Sequence, residues 1–215
     1  MELGRISIAG ESNIGAGRMK NEDNYCIFNP PGFPSALAVV CDGIGGHRNG
    51  EVASMFCCRR MMAEFLHRGE ELHSGAEAGA FLAETLTDVN AEIFRRNEFD
   101  GRTLPMGCTA VCAVFTATEF AFCSVGDSRI YGFAPETGSL RQLSVDDVGA
   151  GGRALSRAIG IRRIRASSCA GTGSGACPEA EEAAESGAAV RSGPGDPPRR
   201  GDPDRAIDNT LEKDD

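Results

Sequence analysis

Four carboxylates and one guanidinium sit where a cation and a phosphate could be held together. Asp42 follows the apolar run Ala36–Cys41 and opens the stretch Asp42-Gly43-Ile44-Gly45-Gly46-His47. That places a carboxylate at the end of a strand buried on both faces, on a backbone that glycine frees for close approach by an ion or a phosphate. Asn21-Glu22-Asp23 sets two more carboxylates just ahead of another strand, and Asp127 falls at a strand junction in Gly126-Asp127-Ser128-Arg129. Several hard oxygen ligands at strand ends suit Mg²⁺ or Mn²⁺ better than zinc, whose usual ligands are Cys and His. Arg18 lies four residues before Glu22, and a guanidinium fork matches phosphate oxygens. Taken one at a time, an acidic residue beside glycine is most often a turn former, an arginine such as Arg18 is more often a solvated side chain, and His47 is at least as well read as a loop histidine.

The elements that must position these groups follow from periodicity. Short apolar runs predict strands at Ile6–Ala9, Tyr25–Phe28 and Ala36–Cys41. Apolar residues at helical spacing predict helices over Glu51–His67 and Ala76–Asn97, each laying one face on a sheet. Further strands are predicted at Thr109–Phe115, Phe120–Val125, Arg129–Phe133 and Leu140–Leu143, with short turns that suggest an antiparallel meander. Strands, two helices and strands again favour an α+β sandwich over an alternating α/β fold.

Composition narrows the partners. The net charge of -9 argues against nucleic acid, which is bound through clustered Lys and Arg. The nine cysteines include no Cys-x-x-Cys pair, so neither a zinc site nor a disulfide framework is expected. Cys26, Cys41, Cys108, Cys112 and Cys123 lie within apolar runs and read as small hydrophobes. Reduced thiols, no signal peptide and no apolar run near ~20 residues point to the cytoplasm without a membrane span.

In their order along the chain, these pieces resemble the PPM family, the type 2C metal-dependent Ser/Thr protein phosphatases, in its bacterial branch. The resemblance rests on Arg18-x-x-Asn21-Glu22-Asp23, Val40-Cys41-Asp42-Gly43-Ile44-Gly45-Gly46-His47 and Gly50-Glu51-Val52-Ala53-Ser54. Gly107-Cys108-Thr109-Ala110, Val125 to Tyr131 and Leu140 to Asp146 extend it, over roughly residues 5–161. It implies a central antiparallel β-sandwich flanked by helices, and hydrolysis of phosphoserine or phosphothreonine by water activated between two Mg²⁺ or Mn²⁺ ions. Asp42 would bridge the two cations, the Gly43 carbonyl would bind one of them, and Glu22 and Asp23 would hold their waters. Asp127 would serve a third ion, Arg18 would bind the phosphate, and His47 is a candidate proton donor. The implied partners are phosphorylated Ser/Thr proteins and a cognate Ser/Thr kinase, and the chain is expected to be a monomer.

The pattern then breaks. A family member would continue past Ala154–Gly160 to a Ser-Asp-Gly metal ligand that has no counterpart here. From residue 162 to 215 large apolar side chains are nearly absent, and Gly, Ala, Ser, Pro, Glu and Arg dominate. Such a segment cannot bury enough apolar surface to offset backbone ordering, about 1–2 kcal/mol per residue. The expected organisation is therefore an incomplete phosphatase domain over 1–161, missing its C-terminal strands, and a disordered tail over 162–215 left by truncation or a frame shift. The alternative is a catalytically impaired fragment that binds phosphoproteins.

Overall fold

The structure, a computed structural model, describes residues 6–44, 49–99, 105–148, 155 and 157–161, and the backbone alone of 170–173 and 188–191. Two antiparallel sheets carry the fold. The first has the order β1-β2-β3-β4-β7, built from Asn24–Phe28, Ser35–Cys41, Ala110–Thr116, Phe120–Val125 and Ala170–Gly173. The second is β6-β5-β8, built from Ser139–Gln142, Arg129–Ala134 and Ala188–Arg191. Helices α1 (Gly50–Arg68) and α2 (Gly75–Phe99) cover one face of the first sheet, α1 over β1 and β2, α2 over β3 and β4.

The two-residue period of the strands decides which side chains meet the helices. Leu37, Val39 and Cys41 of β2 share a face with Ala110, Cys112 and Val114 of β3 and Ala121, Cys123 and Val125 of β4. Met61, Phe65, Phe81, Leu82, Leu86 and Ile93 of the helices complete this core. Phe65 is its aromatic hub, edge-on to Phe28 and Phe81 at 6.1 and 6.0 Å between ring centroids, an arrangement worth about 0.5–1.5 kcal/mol per pair beyond burial. Ala36, Ala38, Val111 and Ala113, on the other face, are buried too, so β2 and β3 are the doubly covered strands that the continuous apolar run predicts.

Helix α2 starts with a reciprocal cap. The Glu77 carboxylate accepts from the Ser74 and His73 amides at 2.9 Å each, and the Ser74 hydroxyl accepts from the Glu77 amide at 3.3 Å. At the far end of the helix, buried Asn97 donates to the Met106 and Gly160 carbonyls and accepts from the Met106 amide, while buried Asn90 accepts from the Gly160 amide. These two amides fasten the stretches around 106 and 160 to the helix. Gly160 turns there with φ +84°, and an added Cβ would come within 2.3 Å of Ile93.

Three expectations change. Ile6–Ala9 has no ladder partner among the described residues and is not a strand: its side chains alternate between half-buried and exposed, but alternation without a neighbouring backbone does not make one. The meander breaks between β4 and β5, because Gly126–Ser128 carries the chain from one sheet to the other instead of folding it back. Gly126 makes that crossing at φ +104°, a conformation that costs glycine little. Inside residues 162–215, Ala170–Gly173 pairs with β4 and Ala188–Arg191 with β5. Open sheet edges supply backbone partners whatever the side chains are, and a composition argument weighs side chains alone. Among the described residues no helix is long and apolar enough to cross a membrane.

Candidate metal centre

Asp42 continues the register of β2 one residue past its end. The Thr109 amide donates to the Asp42 carbonyl at 2.8 Å, and the Asp42 amide donates to the Thr109 hydroxyl at 3.1 Å. By the alternation of the strand, the Asp42 side chain therefore leaves the sheet on the face away from the helices. Thr109 also shares a 2.6 Å hydrogen bond with Ser128, both buried. That contact ties the end of β3 to the crossing that carries Asp127.

The Glu22-Asp23 segment is brought in by backbone. Glu22 presents its carbonyl to the Gly43 amide at 3.1 Å and to the Ser54 hydroxyl at 2.6 Å. The Asn21 side chain accepts from the Asp23 amide at 3.0 Å, the local turn that this residue type favours. Asn24 donates to Ser54 at 2.9 Å, so the first turn of α1 and the start of β1 grip the same loop. Lys20 and Glu51 form an ion pair across it.

Gly43 is obligatory here. A Cβ would stand 2.6 Å from both the Glu22 carbonyl oxygen and the Gly50 carbonyl carbon, which are backbone atoms and cannot swing away. Gly43→Ala is expected to destabilise the fold by about 1–3 kcal/mol, the ordinary cost of forced overpacking, and to lower the melting temperature accordingly. Gly17→Ala, where a Cβ meets nothing within 4 Å, is the control expected to leave the melting curve in place. Equal curves for the two variants would contradict this packing.

The electrostatics are those of crowded, partly buried carboxylates. Burial pushes the Asp42 carboxyl up to about 7, and the neighbouring Asp23, with which it shares a hydrogen bond, and Asp127 push the same way; only Arg18 opposes them. Asp127 is also raised, first by burial and then by Asp146. Arg18 is mostly exposed and lies 3.7 Å from the Glu22 carboxylate. Asp146 itself is gripped by Arg129, with contacts of 2.6 to 3.0 Å, and accepts from Gln142 at 2.9 Å. Asp147 accepts from the Gly126 amide at 3.2 Å and pairs with Arg157.

The structure thus brings together Arg18, Glu22, Asp23, Asp42, Gly43 and Asp127. His47 lies outside the described residues. Sequence reasoning missed the residues that aim the carboxylates, namely Ser54, Thr109, Ser128, Arg129 and Asp147. Thr109 and Ser128 each stand beside a residue singled out by its type, but a hydroxyl in a strand carries no signal of its own until its partner is known.

The donor set fits a hard divalent cation. It is all oxygen, it is partly desolvated, and in its metal-free form it can relieve like-charge repulsion only by taking up protons.

Comparison with known proteins covers the same stretch of the chain. The model of the protein phosphatase 2C family matches residues 9–155. A serine/threonine phosphatase, Stp, of Listeria monocytogenes is 35% identical over 130 residues, 60% of this chain and 50% of that protein. The chain therefore spans about half the length of these curated relatives. Among solved structures, the Staphylococcus aureus phosphatase Stp1 superimposes with a TM-score of 0.65 at 27% identity, covering 76% of this chain and 70% of that one. The catalytic domain of PstP, solved in complex with two manganese ions, superimposes at 0.55 with 26% identity, covering 73% and 68%. The family match and the shared fold agree with the ordered motifs, and the chain belongs to the protein phosphatase 2C family.

Proposed function

We propose that this chain is a metal-dependent phosphatase acting on phosphoserine and phosphothreonine in proteins. The observation that carries the reading is the convergence of Asp23, Asp42 and Asp127 at one end of the sandwich, with Asp42 pushed to about 7 by burial and by its acidic neighbours. Asp42 and the Gly43 carbonyl would hold the cations directly, Glu22 and Asp23 would hold them through water, and Asp127 would take a third. Mg²⁺ or Mn²⁺, when bound, supplies Lewis acidity toward water and neutralises phosphate charge.

The chain's own groups do the rest. Arg18, anchored loosely at Glu22, is free to fork onto phosphate oxygens. Thr109 fixes the backbone of Asp42 from a neighbouring strand, and its bond to Ser128 holds the crossing that places Asp127. His47 is assigned the proton that the leaving Ser or Thr oxygen needs. Phosphorylated proteins and the kinase that produces them are the partners of this reading, in the cytoplasm and with the chain as a monomer. The boundary at 161/162 belongs to it as well: the phosphatase motifs end there, and residues 162–215 are assigned no part in the chemistry, although two short stretches of them pair with the sheet edges.

The test is phosphate release from a phosphothreonine peptide by the purified chain with Mn²⁺. Release that stops on chelation, returns with Mn²⁺ and is absent with the metal alone is expected. Release that survives chelation would overturn the reading, and so would an absence of Mn²⁺ binding by calorimetry. Within it, Arg18→Ala is expected to raise KM for the phosphopeptide more than it lowers kcat, because a phosphate clamp acts in ground and transition states alike. Steady-state kinetics check this, and an unchanged KM would make Arg18 a surface residue.

A further inference from the structure

Three thiols that the carboxylate chemistry does not use converge behind it. Cys41, Cys57 and Cys108 are each fully buried, and their sulfurs all lie within 4.8 Å of one another. All three are free thiols. Cys41 is the last residue of β2, Cys57 sits on α1, and Cys108 pairs with Gly43 across the sheet. The alternation that sends Asp42 to one face sends Cys41 and Cys108 to the other, under the helix.

We propose that Cys41, Cys57 and Cys108 form a binding site for one soft, thiophilic d¹⁰ cation, separate from the oxygen-ligand centre. Three sulfurs at about 2.3 Å from a central ion stand about 4 Å apart in a trigonal arrangement, so closure needs movements of less than ~1 Å. Thiolates select soft cations, and carboxylates, carbonyls and water select hard ones. The two faces of one strand end therefore sort cations by chemical class. Binding replaces S–H bonds with S–metal bonds. Two protons released to buffer for a divalent ion leave a neutral buried complex, with the third sulfur bound as a thiol. Hydrophobic packing explains why each cysteine is buried, but it does not require three sulfurs from three elements to meet.

The probe is Cd²⁺ alone, added to the reduced, full-length chain under anaerobic conditions and followed to equilibrium by its thiolate-to-metal charge-transfer absorption. Cys169 and Cys177, outside the described residues, are first changed to serine so that they cannot contribute. One equivalent of Cd²⁺ is expected to saturate the band, and excess Mn²⁺ is expected to leave it in place. Cys57→Ala, which substitutes a strong helix former on α1, is expected to abolish it while the far-ultraviolet dichroism stays that of the parent. Should that variant fail to fold, Cys108→Ala serves the same purpose. Cys112→Ala, four residues from Cys108 along the strand and so roughly 13 Å away, is expected to retain the band. No band at one equivalent, or a band unchanged in folded Cys57→Ala or Cys108→Ala, would overturn the proposal. Carboxylate coordination gives no such band, and the experiment requires no phosphatase activity, so its failure is distinct from a failure of the proposed function.

Discussion

Asp42→Asn is expected to remove Mn²⁺-dependent hydrolysis of p-nitrophenyl phosphate, lowering it by at least about three orders of magnitude, or ~4 kcal/mol in the barrier. The substitution keeps the size and shape of the side chain. It also leaves the backbone amide to donate to Thr109, so the end of β2 stays where it is. What it removes is the charge at the centre of the cluster. In the metal-free protein that charge is a burden, since Asp42 is desolvated beside Asp23 and Asp127 with only Arg18 opposing. The metal-free variant should therefore melt at or above the temperature of the parent, while the upward shift that Mn²⁺ gives the parent should be lost. The two readouts move in opposite directions, which separates a lost ligand from a damaged fold. Activity within about threefold of the parent, less than ~1 kcal/mol, would sink the assignment. A variant that melts far below the metal-free parent would show that Asp42 works as a structural residue.

Much of this centre was legible because a few residue types carry their geometry with them. The run Ala36–Cys41, bounded by turn signals, is consistent with a strand covered on both faces, and that reading put Asp42 at the end of a sheet. Gly43, Gly45 and Gly46 were read as room for an ion or a phosphate near the main chain; at Gly43 the structure fills the place of a Cβ with the Glu22 and Gly50 backbone instead. The α2 stripe of Leu82, Leu86, Val89 and Ile93 appears as buried side chains on one helix. What stayed hidden depends on partners distant in sequence. Nothing local to Asn90 announces that it will accept from Gly160, seventy residues on. The turn at Gly126–Ser128 reads equally well as a hairpin or as a crossing between sheets, and the choice is made by Thr109 meeting Ser128. Cys41, Cys108, Cys112 and Cys123 are buried as their apolar runs suggested, and Cys26 is half-buried, but one strand's sequence cannot show that Cys41 and Cys108 meet a third sulfur from a helix. Pairing at β7 and β8 follows from the open edges of β4 and β5, which no property of the tail's own side chains encodes.

The affinity of the centre for Mn²⁺ should climb about tenfold for each pH unit from about pH 5 to about pH 7 and level off above. One pKa unit corresponds to about 1.4 kcal/mol between protonation states, and a cation entering the centre must displace the proton held by Asp42. Below about 7 the metal competes with that proton, and above it the competitor is gone. The sign for stability is fixed by the same linkage. An unfolded aspartate titrates near ~3.9 and Asp42 in the folded metal-free chain near about 7, so the folded state binds more protons between these values. The contribution of Asp42 to metal-free stability is therefore complete below about pH 4 and is lost as pH rises through about 7. With Mn²⁺ present the trend reverses, because the cation takes the place of the proton and binds best once the carboxylates are free. Melting curves with and without Mn²⁺ at about pH 5, 6, 7 and 8 should thus diverge, with the metal-induced shift smallest at the acid end. Asp42→Asn should flatten both series. A shift independent of pH in the parent would mean that Mn²⁺ stabilises the chain from somewhere other than the Asp23–Asp42 pair.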